Sequence, residues 1–215
     1  MRSKFDDELE LLNKELIKMG ALCEDAIAVS AKALDEGNAS LASKAAELSE
    51  QIDRRESEIE GMCMRLLLRQ QPVAKDLRVI SSALKMVTDM ERIGDQSADI
   101  AEIVSMGKIR ASADAEDIRE MARSVIGMVT DSVDAFVKKD ISIARAVIEF
   151  DDTVDECFDR VKRNLISRLS AGEGADGEEV LDLLMVAKYF ERIGDHAEII
   201  AKWVLFSITG NREGD

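Results

Sequence analysis

Two copies of the pentapeptide ERIGD, at 91–95 and 191–195, recur at an offset of 100 in a 215-residue chain. Residues four apart on a helix share a face, so Glu91 and Asp95 project together, as do Glu191 and Asp195. Asp99 extends the first row by one more turn. Like charges at this spacing repel and weaken an isolated helix. A row placed twice in equivalent positions therefore invites a cation. Ligands offering oxygen alone suit magnesium, calcium or manganese, and carboxylate-rich sites also hold iron. A second reading is a solvated charge row neutralised by Arg92 or by a lysine on a neighbouring helix. Spacing and duplication do not separate the two.

Further acids stand upstream of each copy. Asp151 and Asp155 are also four apart, and at an offset of 102 Asp53 matches Asp155 while Ser49 stands where Asp151 would be. Gly94 and Gly194 each lower helix propensity by about 1 kcal/mol relative to alanine. Close helix approach or room for a bulky ligand would account for both. The only histidine, His196, follows Asp195. A ferritin-type di-iron centre needs two Glu-x-x-His pairs, and the residue three before His196 is Ile193. His196 is expected beside a site or on the surface. No nucleophile–base pair and no glycine-rich phosphate loop stand out, so the chain does not read as an enzyme.

The elements that must carry these residues are helices. One proline (Pro72) and 12 glycines leave few turn signals for a β fold. The stripe Phe5, Leu9, Leu12, Leu16, Met19, Cys23, Ala26, Ser30 and Ala33 alternates steps of four and three, which marks an amphipathic helix over 5–36 ended by Gly37 and Asn38. Helices follow over 41–69 and 73–106, separated by Gln70-Gln71-Pro72. The pattern returns over 115–139, 141–169 and 178–207, with the loop AGEGADG at 171–177. Val73, Leu77, Ile80, Leu84 and Val87 form a heptad series whose next position is Glu91, which places the acids where an apolar stripe gives out. The fold class is all-α: two tandem, pseudo-symmetric, antiparallel three-helix bundles at 1–106 and 115–215, with a linker at 107–114. Met62, Met64, Met86, Met90 and Met185 read as core fillers, and Trp203 as a packing anchor.

Lysine and arginine total 29 against 44 aspartates and glutamates, a net charge of −15. Such a surface excludes a nucleic-acid binder and suits metal cations or basic protein partners. The N-terminal residues show no signal peptide, and no apolar run approaches the roughly 20 residues that cross a bilayer. Cys23, Cys63 and Cys157 are far apart and odd in number, and read as buried thiols in a reducing, cytoplasmic setting.

RQQPVAKDLR (69–78), DMERIGDQSADIAE (89–102) and YFERIGDHAEIIAKW (189–203) together resemble the PhoU family, accessory regulators of high-affinity phosphate uptake. The likeness spans the whole chain, duplication included. It implies two three-helix bundles and a homodimer. It also implies metal sites, some multinuclear, holding divalent or trivalent ions (iron, zinc or magnesium) through paired (Glu/Asp)-x-x-x-Asp motifs. Carried onto this chain, the motifs are Glu91 with Asp95, Glu191 with Asp195, and Asp151 with Asp155. Ser49 departs from the pattern and leaves Asp53 alone. Many members carry asparagine one turn after the last aspartate, where this chain has Asp99 and Ile199, so the two sites should be non-equivalent. The resemblance further implies a negative regulatory adaptor between the ATPase of a phosphate ABC transporter and a phosphate-sensing histidine kinase, meeting the membrane only through those partners. The competing readings are a metal-free helical adaptor and, third, a metalloenzyme acting on phosphate esters, for which no acid–base group is evident.

Overall fold

The computed structural model describes residues 2–36, 38–70, 72–106, 109, 114–171 and 176–211. They form six helices: α1 (Arg2–Glu36), α2 (Ala39–Gln70), α3 (Ala74–Met106), α4 (Asp114–Lys138), α5 (Ile141–Ala171) and α6 (Gly177–Thr209). There is no strand among the described residues. Of the linker expected at 107–114, only Ile109 and Asp114 are among the described residues, and residues 172–175 of the AGEGADG loop lie outside them.

Local chemistry sets the helix ends. Asn38, expected to help stop α1, instead starts α2: its Oδ1 accepts from the Ser40 backbone N–H at 3.0 Å. Asp140 does the same for α5, accepting from Ser142 N–H at 2.8 Å, and Asp176 for α6, accepting from Glu178 N–H at 3.1 Å. These side chains satisfy donors that a helix start leaves orphaned. α6 stops at Gly210, whose φ of 80° is the left-handed conformation that glycine adopts without a Cβ clash. α4 ends one residue before the expected boundary, because Lys139 takes φ 55°.

Each half is a three-helix bundle: α1, α2 and α3 pack together, as do α4, α5 and α6. The α1 stripe does what its periodicity implies, with Leu12, Leu16, Met19, Cys23, Ala26 and Ala33 fully buried. Burying each large apolar side chain contributes roughly 1.5–3 kcal/mol, so these stripes set which faces meet. The bundles also join each other, through α3 against α6 and α1 against α4. At the α1–α4 crossing, a Cβ on Gly20 would lie 3.2 Å from Val133 Cγ2, so glycine permits the approach. At the α3–α6 seam, His196 Nδ1 lies 2.9 Å from Asp89 Oδ1, and Tyr189 stands beside Asp99. Position 89 meets 196 while 99 meets 189, so α3 and α6 run antiparallel across the seam.

All three cysteines are free and buried, as their spacing implied. Met86 and Met90 fill the core, and Trp203 packs against it in a T-shaped contact with Phe206 at 5.8 Å. Met64 and Met185 correct the core-filler expectation. They are 49% and 46% exposed, because they stand on helix faces turned away from their bundle partners. No helix among the described residues is long and apolar enough to cross a membrane.

Candidate functional site

The apolar side of α3 buries Met86, Met90, Ile93, Ile100 and Val104 in the core. This fixes the roll of the helix and turns Glu91 and Asp95 toward the rim where α2 passes. Gly94 sits between them. A Cβ there would stand 2.8 Å from Ile52 Cδ1, so the glycine allows α2 to press against α3 and deliver Asp53, one residue beyond Ile52. Asp53, Glu91 and Asp95 each place one carboxylate oxygen so that all three lie within 4.8 Å of one another.

The second bundle builds its cluster the same way from different residues. Gly194 brings α6 against α5 so closely that a Cβ would lie 3.2 Å from Asp151 Oδ1. Asp151, Asp155 and Asp195 then form a trio with the same 4.8 Å limit. Asp151 occupies the place that Ser49 holds in the first bundle. Ser49 is still part of its cluster, as its hydroxyl donates to Asp95 Oδ1 at 3.2 Å.

Six of the eight acids singled out from the sequence fall into these trios. Glu191 stands beside the second trio with one oxygen bonded by Lys188 Nζ, while its Oε2 is buried without a hydrogen-bond partner. Thr88 matches Lys188 in the first half, where Glu91 pairs instead with Arg92. Asp99 is not in the first trio; it faces Tyr189 and the charge of Arg192 on α6. Sequence reasoning missed Glu56 and Glu198, which add negative charge beside the trios. Glu198 had a legible signal, since it follows Asp195 by three residues on a helix.

The electrostatics of the two clusters differ. Burial, with Asp95, Glu56 and Asp53 adding repulsion, pushes the Glu91 carboxyl up to about 7 against the pull of Arg92. Arg92 reaches Glu91 at 3.3 Å and Asp95 at 3.6 Å, but its side chain is 57% exposed. Burial also pushes Asp151 up to about 7, followed by repulsion from Glu198, Asp195, Asp155 and Glu191. Asp53, Asp155 and Asp195 shift upward as well, burial first. Carboxylates crowded without matched cations hold protons that a metal ion would displace. His196 lies on the seam rather than in a trio.

The PhoU domain family model matches residues 16–104 and 118–204, one match per bundle. A curated relative from Clostridium acetobutylicum, named a phosphate-specific transport system accessory protein PhoU homolog, is 34% identical over 213 residues, covering 98% of this chain and 97% of its own. One of the same name from Pseudomonas aeruginosa is 34% identical over 209 residues, covering 96% and 86%. The crystal structure of PhoU from Pseudomonas aeruginosa superposes with a TM-score of 0.90 at 32% identity, covering 96% of this chain and 100% of that one. The phosphate transport system regulatory protein PhoU from Streptococcus pneumoniae has a TM-score of 0.88 at 24% identity, covering 97% and 98%, a likeness of fold.

Proposed function

This chain belongs to the PhoU family, and we propose that it is an accessory regulator of phosphate transport whose two acidic clusters bind metal ions. The observation carrying the metal reading is the convergence, once in each bundle, of three carboxylate oxygens from two helices within 4.8 Å. Asp53, Glu91 and Asp95 would hold an ion in the first bundle, and Asp151, Asp155 and Asp195 in the second. The donor set is all oxygen, which suits iron or magnesium better than zinc, whose structural sites use sulfur and nitrogen. A bound cation would supply positive charge among acids that otherwise repel. The orphaned Glu191 Oε2 beside the second trio fits the same purpose.

The regulatory reading extends this. The protein acts in the cytoplasm as a non-enzymatic homodimeric adaptor. It restrains the transporter through its ATPase and holds a phosphate-sensing histidine kinase in its quiet state. The names of the curated relatives support the link to the transport system. The net charge of −15 supports docking on basic partner surfaces. Arg92 favours the second reading, a metal-free adaptor, for the first bundle alone, because one guanidinium touches two of the three acids there.

Elemental analysis of the purified protein tests the metal reading. Iron or magnesium retained by the parent and lost in Asp53→Asn/Asp95→Asn and Asp151→Asn/Asp195→Asn variants supports it. A parent without metal, and without thermal shift on adding iron or magnesium, leaves the adaptor reading.

A further inference from the structure

The RQQPVAKDLR segment takes no part in either acidic cluster, yet its α3 portion lines a cavity of about 300 Å³ where α1, α3, α4 and α6 meet between the bundles. That size falls at the lower end of small-molecule sites. Leu9, Val79, Phe136 and Ile208 provide apolar walls. Two ammonium groups come from separate elements: Lys75 from the first turn of α3 and Lys139 from the turn between α4 and α5. Neither forms an ion pair among the described residues, although Asp76 shares the lining with Asn13 and Ser207.

Two further observations single the place out. Lys139 holds φ 55° at the end of α4, where Lys139 N–H bonds Phe136 C=O and Asp140 N–H bonds Ala135 C=O. Glycine or asparagine is the usual occupant of such a helix stop, because a Cβ in that conformation crowds the backbone. A lysine kept in that conformation at the rim of a cavity has a use for its side chain. Beside the cavity, Arg78 packs within 3.6 Å of where a Gly210 side chain would begin, and its buried Nε has no hydrogen-bond partner. Two lysines thus line one cavity in a protein whose net charge is −15, and the start of α3 adds the positive end of its dipole.

From this we infer that the inter-bundle cavity binds a phosphate monoester with an apolar or aromatic body, its dianion between Lys75 and Lys139 and its body against Phe136 and Val79. A phosphate monoester is preferred to a carboxylate because two ammonium groups match a dianion. The inference stands apart from the metal reading.

The test is calorimetric titration of the full-length protein after treatment with EDTA, so that no cluster-bound metal can capture phosphate. The probes are adenosine 5′-monophosphate, adenosine and inorganic phosphate. The expected result is saturable binding of the nucleotide, weakened about tenfold or more by Lys75→Ala and by Lys139→Gly, with adenosine and inorganic phosphate weaker than the nucleotide. Lys139→Gly also relieves the left-handed strain, so its melting temperature should rise while affinity falls, a split that misfolding could not produce. The inference is overturned by the absence of saturation at about 1 mM nucleotide. It is equally overturned by unchanged binding in both variants, or by adenosine or inorganic phosphate matching the nucleotide.

Discussion

Asp151 Oδ1 rests 3.2 Å from the point where a side chain on Gly194 would begin, whereas the corresponding point on Gly94 lies 2.8 Å from Ile52 Cδ1. The two duplicated glycines therefore meet different neighbours, and alanine should affect them with opposite sign. Ile52 is fully buried, so Gly94→Ala overpacks the α2–α3 contact. A cost of about 1–3 kcal/mol then outweighs the helix-propensity gain of about 1 kcal/mol. At Gly194 the neighbour is a carboxylate that can swing outward, so the propensity gain dominates. Thermal denaturation of the metal-free variants should show a lower midpoint for Gly94→Ala and an equal or higher one for Gly194→Ala. Both should bind metal more weakly, since each displaces a carboxylate-bearing helix or side chain.

Protonation couples the clusters to stability. Glu91 and Asp151 are both raised to about 7 in the folded protein. Between their ordinary values near 4 and that point, the folded state binds more protons than the unfolded state. Metal-free stability from these groups therefore falls as pH rises from about 4 to 7 and is flat above. Both groups are partly open to solvent, so the screened contribution is about 1 kcal/mol each. Asp151→Asn removes its share. Chemical denaturation of metal-free protein at pH 5 and pH 8 should show the variant gaining on the parent at the higher pH. A gap that is the same at both would contradict the assignment.

If the clusters bind metal as proposed, the same raised carboxyls make uptake a proton exchange. Below about pH 7, affinity should drop by up to about tenfold per pH unit for each cluster as its most basic acid becomes protonated. Calorimetry of magnesium or iron(II) binding in two buffers of different ionisation enthalpy should reveal protons released at pH 6.5 and fewer at pH 8.5. Identical heats in both buffers at both pH values would mean that the acids are already ionised before the metal arrives.

Periodicity made the bundles and the exposed acidic rows legible, because apolar residues at steps of three and four must turn to a common core and leave the residues between them outside. Ile93, Ile100 and Val104 fix where Glu91 and Asp95 point, and that much follows from one helix. The membership of each trio does not. Glu191 matches Glu91 in sequence but is held beside its cluster by Lys188, while Asp99 stands outside its trio and faces Tyr189 of α6. Both outcomes depend on a partner side chain whose reach is a tertiary property. Met64 and Met185 eluded the same reasoning: a methionine between two stripes is compatible with either the core or the surface. Part of the asymmetry was legible, because Ser49 stands where Asp151 does, but the hold of Lys188 on Glu191, with Thr88 at the matching position, became visible only once the side chains were in place.

That asymmetry can be moved from one bundle to the other. Lys188 bonds Glu191 and lies 5.2 Å above the Phe158 ring, so the ammonium is held between an acid and an aromatic face. It also lowers the carboxyls of Asp155 and Asp195 against the upward push of burial. Lys188→Ala removes the ammonium bonded to Glu191 and should free Glu191 to join the trio, while Lys202 keeps its pair with Glu198. Metal affinity at the second cluster should rise by roughly tenfold, the worth of one charge-assisted contact. The metal-free protein should melt lower, because five acids (Asp151, Asp155, Glu191, Asp195 and Glu198) then face one another with less compensation. Thr88→Lys should do the reverse in the first bundle, restraining Glu91 and weakening its ion. Titrating each variant with magnesium while following the melting temperature separates the two effects. If Lys188→Ala lowers the metal-free midpoint without enlarging the metal-induced rise, Glu191 is not recruited, and the second cluster works with its three aspartates alone.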